Sequence, residues 1–338
     1  MARRSTRTAG KKAGSPKKGS PDGEQGAYVI TGVCGRLGKL LARRLHRMGP
    51  VIGIDRRPFP DRPKDIEHIP HPLRRKKVRD VFRRREIRAV IHLGVMHDPR
   101  KKAETHHSWN VEGFAKLLEY CEAYQVPKLV LMSSASLYGG RPSNPQFLTE
   151  AAPLMASSRF ALIADQIQVD MLAQSFFWRH PGCETVILRP CSIIGKVQNA
   201  STKYLRLERV PMLMGFDPMV QLIHEEDVIE AIVSAVQPGV RGIFNLAGPT
   251  AAPLSSIVSA LGRERVGVPS MLARPLVSQA FRLKLTSFPA AEIDFIQYQC
   301  FVDDARARSH LDWAPRRSMS EILDELRRPD PMTLRRMA

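Results

Sequence analysis

The chain has 338 residues and carries 52 Lys and Arg against 33 Asp and Glu, a formal net charge of +19. It contains no run of eighteen apolar residues and no apolar core near its start, so neither a membrane-spanning helix nor a secretory signal is expected. Five widely spaced cysteines without a CxxC pair fit neither a disulfide framework nor a zinc site, so no metal and a reduced, cytoplasmic setting are expected.

Residues 1–26 hold seven Lys and Arg against two acids and contain no Val, Ile, Leu, Phe, Tyr or Trp. Such a stretch buries too little apolar surface to offset chain entropy, which predicts a disordered basic tail. From Ala27 onward, short β-branched runs alternate with amphipathic stretches, the pattern of a parallel sheet with crossover helices. Strands are predicted at Tyr28–Ile30, Val51–Asp55, 88–93, 128–133 and 184–189, with a helix from Leu37 to Met48. After Pro190 the alternation becomes irregular, and only 220–224, a helix from near Glu225 and 242–248 look regular. The predicted fold class is α/β, a doubly wound parallel sheet over 27–190 with a smaller C-terminal substrate lobe over 191–330, some of whose segments return to the sheet.

Thr31 to Gly38 places Gly32, Gly35 and Gly38 in a GxxGxxG spacing directly after a strand and at the start of a helix. The first glycine permits a tight turn, the second lets backbone approach a pyrophosphate, and the third allows close helix packing. Arg36 and Leu37 open that helix. Asp55 ends the next strand, where an acid can accept hydrogen bonds from an adenosine ribose and repel a 2′-phosphate. That favours NAD. Arg56 and Arg57 follow at once and could reverse the preference, so NADP stays open.

These pieces together resemble the extended short-chain dehydrogenase/reductase family, the NAD-dependent epimerase/dehydratase group with its Rossmann-type fold. The resemblance runs from Tyr28 to about Leu326 and rests on eight motifs in the family's order: TGVCGRLG, VIHLG, NVEGFAKLLEYC, LVLMSSASLYGG, LRPCSIIG, LIHEEDVIEAI, FNLAG and VDDARARSHLDWAP. It implies that Gly32, Gly35 and Gly38 meet the pyrophosphate and that Leu93, Gly94 and Val95 lie along the cofactor. It also places Ser133 and Ser134 near the nicotinamide, Ser134 standing where the family has its catalytic Ser/Thr, with Pro190 and Cys191 bordering the nicotinamide ribose and amide.

The sequence departs from that family in three places. The chemistry needs a tyrosine and, four residues on along one helix face, a lysine that lowers the phenol's pKa from about 10. The corresponding helix has Ser157 and Ala161 at those positions, and no residue from 139 to 203 is a tyrosine. A literal YxxxK at Tyr124–Lys128 contains Pro127, so its ends cannot share a helical face. Tyr138 is the remaining phenol expected near the site, either as a substitute acid/base or in packing or substrate contact. Arg159 is permanently charged and cannot act as a base. Nucleotide-sugar members carry an arginine just before the segment matching LIHEEDV, where Met219, Val220 and Gln221 stand here. Losing that bidentate phosphate anchor argues against a nucleotide sugar, and together with RVPMLMGFDPM it suggests a more apolar pocket. Last, the family's acid after the third strand is replaced by His71.

Residues 74–88 carry nine Lys and Arg against two acids, an exposed helix face that is either merely solvated or, with the tail, a site for a non-specific anionic partner. Residues 271–285 form a basic amphipathic stretch that could lie on a membrane surface or cover the substrate mouth, with lining of the substrate lobe the preferred reading. A homodimer through 108–124 and 157–178 is compatible with FFW at 176–178. Two functions follow: an NAD-linked oxidoreductase or epimerase with altered acid/base machinery acting on a small or apolar alcohol or ketone, or a catalytically silent dinucleotide-binding regulatory or scaffold protein with an anionic partner.

Overall fold

A computed structural model describes residues 26–96, 101–156, 161–283 and 293–328. The expected tail lies almost wholly outside the described residues, as do Ser157 and Arg159. The first half of the chain runs β1 (Ala27–Thr31), α1 (Arg36–Leu45), β2 (Val51–Ile54), β3 (Glu67–Ile69), α2 (Lys76–Arg84), β4 (Ile87–His92), α3 (Ala103–Ala123) and β5 (Lys128–Met132). A 3₁₀ turn at Ala135–Tyr138 leads to α4 (Ala161–Arg179), β6 (Glu184–Pro190), β7 (Ser192–Ile194), α5 (Ala200–Leu205) and β8 (Arg209–Leu213). Then come β9 (Met219–His224), α6 (Glu225–Ala235), β10 (Gly242–Leu246), β11 (Ala251–Pro253) and α7 (Leu254–Ala260). The chain continues with β12 (Glu264–Val268), α8 (Ser270–Arg282), α9 (Ile293–Gln297), α10 (Ala305–His310) and α11 (Met319–Arg327).

Seven parallel strands form the central sheet in the order β10-β6-β5-β4-β1-β2-β3. All five residues of β1 are buried because helices cover both faces of the sheet. Successive side chains divide between those faces. Tyr28 and Ile30 pack with Leu41 and Leu45 of α1 and with Val228 and Ile232 of α6. Val29 packs on the other side with Val78 and Phe82 of α2, Phe114 and Leu117 of α3, and Val169 of α4. Strand order reverses between β1 and β4, and the carboxyl ends of these strands open a crevice there.

The expected strands are present within a residue or two of their predicted ends, and the helix after the glycine turn stops at Leu45, three residues before its expected end at Met48. The irregular half proves to hold more regular structure than its pattern suggested. Chain beyond residue 190 returns to the central body through β10, at the sheet edge beside β6, and through α6. The remainder builds a three-stranded sheet, β11-β9-β7, and a two-stranded one, β12-β8. These strands have three to six residues, and β8 contains Pro211 while β12 opens on Glu264 and Arg265, so no sustained alternation marks them.

Candidate functional site

One cleft of about 1820 Å³ runs along the carboxyl ends of the central strands into the second lobe. Every residue singled out for cofactor contact lines it, from Gly32, Gly35, Arg36, Leu37 and Gly38 through Asp55, Leu93, Gly94 and Val95 to Ser133, Pro190 and Cys191. Ser134 lines it too.

The glycine turn is shaped by backbone contact. Gly32 has φ of +73°, a left-handed conformation, and a Cβ there would stand 2.7 Å from the Gly94 Cα. At Gly38 a Cβ would stand 2.4 Å from the Gly32 carbonyl oxygen and 2.7 Å from the Val33 Cα, so only glycine lets α1 pack so close to the turn. Gly35 caps α1 without any side-chain hydrogen bond, so no side chain of the cap occupies the first-turn N–H groups at a positive helix end. This cradle fits a dinucleotide pyrophosphate. Beside it, Arg36 donates from Nε and Nη2 to Oε1 of Glu225, at 2.9 and 2.5 Å, tying the turn to the start of α6.

Asp55 lies just past β2 with its carboxylate already engaged. Oδ2 accepts from the Cys34 N–H at 3.1 Å and from Arg57 Nη2 at 2.8 Å, while Oδ1 accepts from the Arg57 N–H at 3.0 Å. Burial pushes this carboxyl up, but the Arg57 hydrogen bonds and charge outweigh that and hold it below the usual carboxylate range. Arg57 is therefore folded onto the acid. Arg56 points elsewhere, its guanidinium 4.9 Å over the Trp109 ring. His71 lines the same end of the cleft.

At the middle of the cleft, His92 at the end of β4 shares a hydrogen bond with Thr31 Oγ1 at 2.7 Å, and burial pushes its pKa down to about 4. It is a neutral ring at ordinary pH. Ser134 Oγ accepts from the Ser136 N–H at 3.1 Å and lies 2.7 Å from Ser136 Oγ, giving the cleft a pair of exposed hydroxyls. Burial pushes the Cys191 and Cys300 thiols up to about 12, so neither is a thiolate near neutrality.

Tyr138 is not brought to this surface. Its phenol is buried, 1% exposed, donating to Asn245 Oδ1 at 2.8 Å and accepting from Arg189 Nη1 at 2.8 Å. Burial raises its pKa, with the Arg189 charge opposing. Of the alternatives expected for Tyr138, this burial fits packing and not a substitute acid/base: the ring supports the floor of the site. Arg189 completes that floor with a bidentate bond to Asp170, at 2.7 and 3.0 Å, and Ser133 Oγ donates to the same carboxylate. Sequence reading missed this network, since Asp170 carries no local signal, the FNLAG motif around Asn245 does not reveal its partner, and the two meet Arg189 and Tyr138 only in three dimensions. The Tyr124–Lys128 match is equally remote from the cleft: Tyr124 caps α3, and Lys128 Nζ is buried on the Val240 carbonyl at 2.7 Å and Glu184 at 2.8 Å. Ala161 begins α4.

The second lobe gives the cleft an apolar wall that includes Leu207, Leu213, Val268, Val277, Phe295 and Ile296. On β9, Met219 and Val220 face the cleft, and the Gln221 side chain is consumed by the Val302 backbone, donating at 3.0 Å and accepting at 2.9 Å. Tyr204 also lines the cleft, but its hydroxyl donates to the Pro211 carbonyl at 2.7 Å and burial raises its pKa. Among the described residues no group of His, Cys, Asp and Glu could hold a metal ion, and no helix is long and apolar enough to cross a membrane.

The profile of the NAD dependent epimerase/dehydratase family matches residues 28–247, from β1 through β10. The chain belongs to this family. An uncharacterized protein of Mycobacterium tuberculosis is 27% identical over 308 residues, covering 88% of this chain and 82% of that protein. Among solved structures, the fold is similar to a UDP-glucose 4-epimerase of Thermotoga maritima with UDP-glucose, TM-score 0.70 at 17% identity, covering 92% of this chain and 99% of the other. It is likewise similar to a short-chain dehydrogenase/reductase superfamily protein of Agrobacterium tumefaciens with bound NAD, TM-score 0.69 at 21% identity, covering 92% and 97%. This epimerase/dehydratase member thus keeps the family's sheet and glycine turn, while Met219, Val220 and Gln221 occupy β9 without a guanidinium.

Proposed function

We propose that the protein binds NAD along the glycine turn and a largely apolar second ligand in the adjoining lobe, acting on that ligand's alcohol or ketone as an oxidoreductase or epimerase with altered proton transfer. The observation that carries this reading is continuity: the turn, the Ser134–Ser136 hydroxyls and the apolar wall line one cleft of about 1820 Å³. NAD, when bound, supplies a hydride acceptor. Gly32, Gly35, Arg36, Leu37 and Gly38 hold the pyrophosphate, with Leu93, Gly94 and Val95 beside it and Pro190 and Cys191 at the nicotinamide end. Asp55 receives the adenosine ribose and disfavours a 2′-phosphate. Ser134 orients the substrate oxygen. It does not serve as a strong base, and the missing tyrosine–lysine pair costs on the order of 10²–10⁴ in rate unless water or substrate carries the proton.

A thermal-shift titration with NAD, NADH, NADP and NADPH tests the binding half. Stabilisation by NAD and NADH is expected; none by any of the four removes the reading. Single-turnover hydride exchange over alcohols and ketones of rising apolarity tests the chemistry. A second reading, a silent dinucleotide-binding scaffold, is favoured by the sequestration of Tyr138, and NAD binding without any exchange selects it. Its anionic partner would meet α2, where Lys76, Lys77, Arg79 and Arg84 are exposed. Five free thiols support a cytoplasmic setting, and Trp178, 76% exposed on α4, supports a homodimer across α3 and α4.

A further inference from the structure

α8 carries two apolar faces, and the lobe uses only one. Ala273 and Val277, one turn apart, pack with Leu213, Ile293 and Ile296. On the neighbouring side Met271, Leu272 and Leu276 stand in solvent, 88%, 53% and 57% exposed. Met214, 60% exposed, continues that surface at the end of β8, beside Gly267 of β12. Leu276, Leu207 and Met219 are exposed and also line the cleft, so α8 brings part of its exposed apolar side to the cleft itself. A contiguous exposed patch around a ligand mouth marks an interaction site.

The surrounding charge identifies the occupant. Segments 203–214 and 263–282, which flank this face, hold seven Lys and Arg against two Glu, with Arg209 paired to Glu264. Arg265 and Arg274 are exposed, Arg274 being paired with Asp294. Exposed aliphatic side chains within segments of net positive charge complement an anionic lipid surface, where chains enter the interface and basic groups meet phosphates. A second copy of this chain would bring the same positive charge against itself. We infer that α8 and the β8 end dock the protein on an anionic lipid surface, with the mouth of the cleft opening toward the bilayer. The inference deepens the proposed function, resting on it only for the source of the apolar ligand, since such ligands partition into bilayers.

The test is co-sedimentation of the full chain with vesicles of phosphatidylcholine alone or mixed with phosphatidylglycerol. The wild type is expected to bind the mixed vesicles, and Met271→Glu with Leu272→Glu is expected to lower that partition about tenfold without moving the melting temperature. Equal binding by the variant overturns the inference, because the basic tail then explains the attachment; so does absence of wild-type binding. Concentration-dependent dimerisation abolished by the same variant also overturns it, showing that a second copy covers the face. Should the variant misfold, hydrogen exchange of wild-type residues 270–279 decides instead: vesicles must slow it, and unchanged exchange sinks the idea. NAD titration without vesicles separates failure of this inference from failure of the cofactor reading.

Discussion

At the glycine-turn end of the cleft, the shape is set by backbone: a Cβ at Gly32 or at Gly38 would collide with main-chain atoms. At the second-lobe end, apolar side chains from β8, β9, β12, α8 and α9 make the wall, some buried and some exposed, and few are locked by hydrogen bonds. Between them lies a floor held by the Arg189–Asp170–Tyr138–Asn245 network. A cofactor common to a whole family can be met by fixed backbone, whereas a substrate that differs among members is met by replaceable side chains. The absence of the tyrosine–lysine pair fits that division, for it changes side chains and leaves the turn intact.

The largest effect is expected at the floor. Asp170→Ala leaves Arg189, 1% exposed, as an uncompensated buried charge, and should cost about 3–5 kcal/mol in urea unfolding. A loss below about 1 kcal/mol would show that the floor is not what joins the two ends. Next, Gly38→Ala should abolish NAD-dependent thermal stabilisation and cost about 1–3 kcal/mol, because its neighbours are backbone atoms that cannot move aside.

pH probes the middle of the cleft. His92 has a folded pKa near 4, below its unfolded value of about 6.5, so the unfolded state binds more protons between these values and stability falls as pH falls. From pH 6.5 to 5 the loss from this ring should approach about 2 kcal/mol, and His92→Gln should remove that part of the pH dependence. A flat difference between variant and wild type across this range would refute the assignment.

Tyr138→Phe is a smaller change that discriminates support from chemistry. It removes one partner each from Asn245 and Arg189, so stability should drop by about 1–2 kcal/mol while any hydride exchange keeps its rate. A rate loss of about 10²-fold or more would return Tyr138 to the reaction. Smallest of all, Met219→Ala should alter stability by no more than about 0.5 kcal/mol and leave the NAD shift unchanged, while weakening an apolar ligand. If instead it weakens NAD, the contrast between the two ends fails.

Much of this was legible from residues alone. The strands of the central sheet, the glycine turn, Asp55 and the serines after β5 each announce themselves through local pattern, since a turn that needs glycine and a strand buried on both faces leave marks in consecutive residues. The same reading found no tyrosine between residues 139 and 203. It could not tell that Tyr138 faces inward, because a phenol in a loop after β5 can rotate either way and its partners Arg189 and Asn245 lie 51 and 107 residues on. Nor could it show that Arg57 folds onto Asp55, that Glu225 of α6 holds Arg36, or that α8 has an apolar face left over. Consecutive residues determined the glycine-turn end, where backbone conformation is decided locally. Side-chain partners from distant segments decided the floor and the substrate mouth, and only their assembly in three dimensions fixes which groups face the cleft, which are consumed in support, and which remain in solvent.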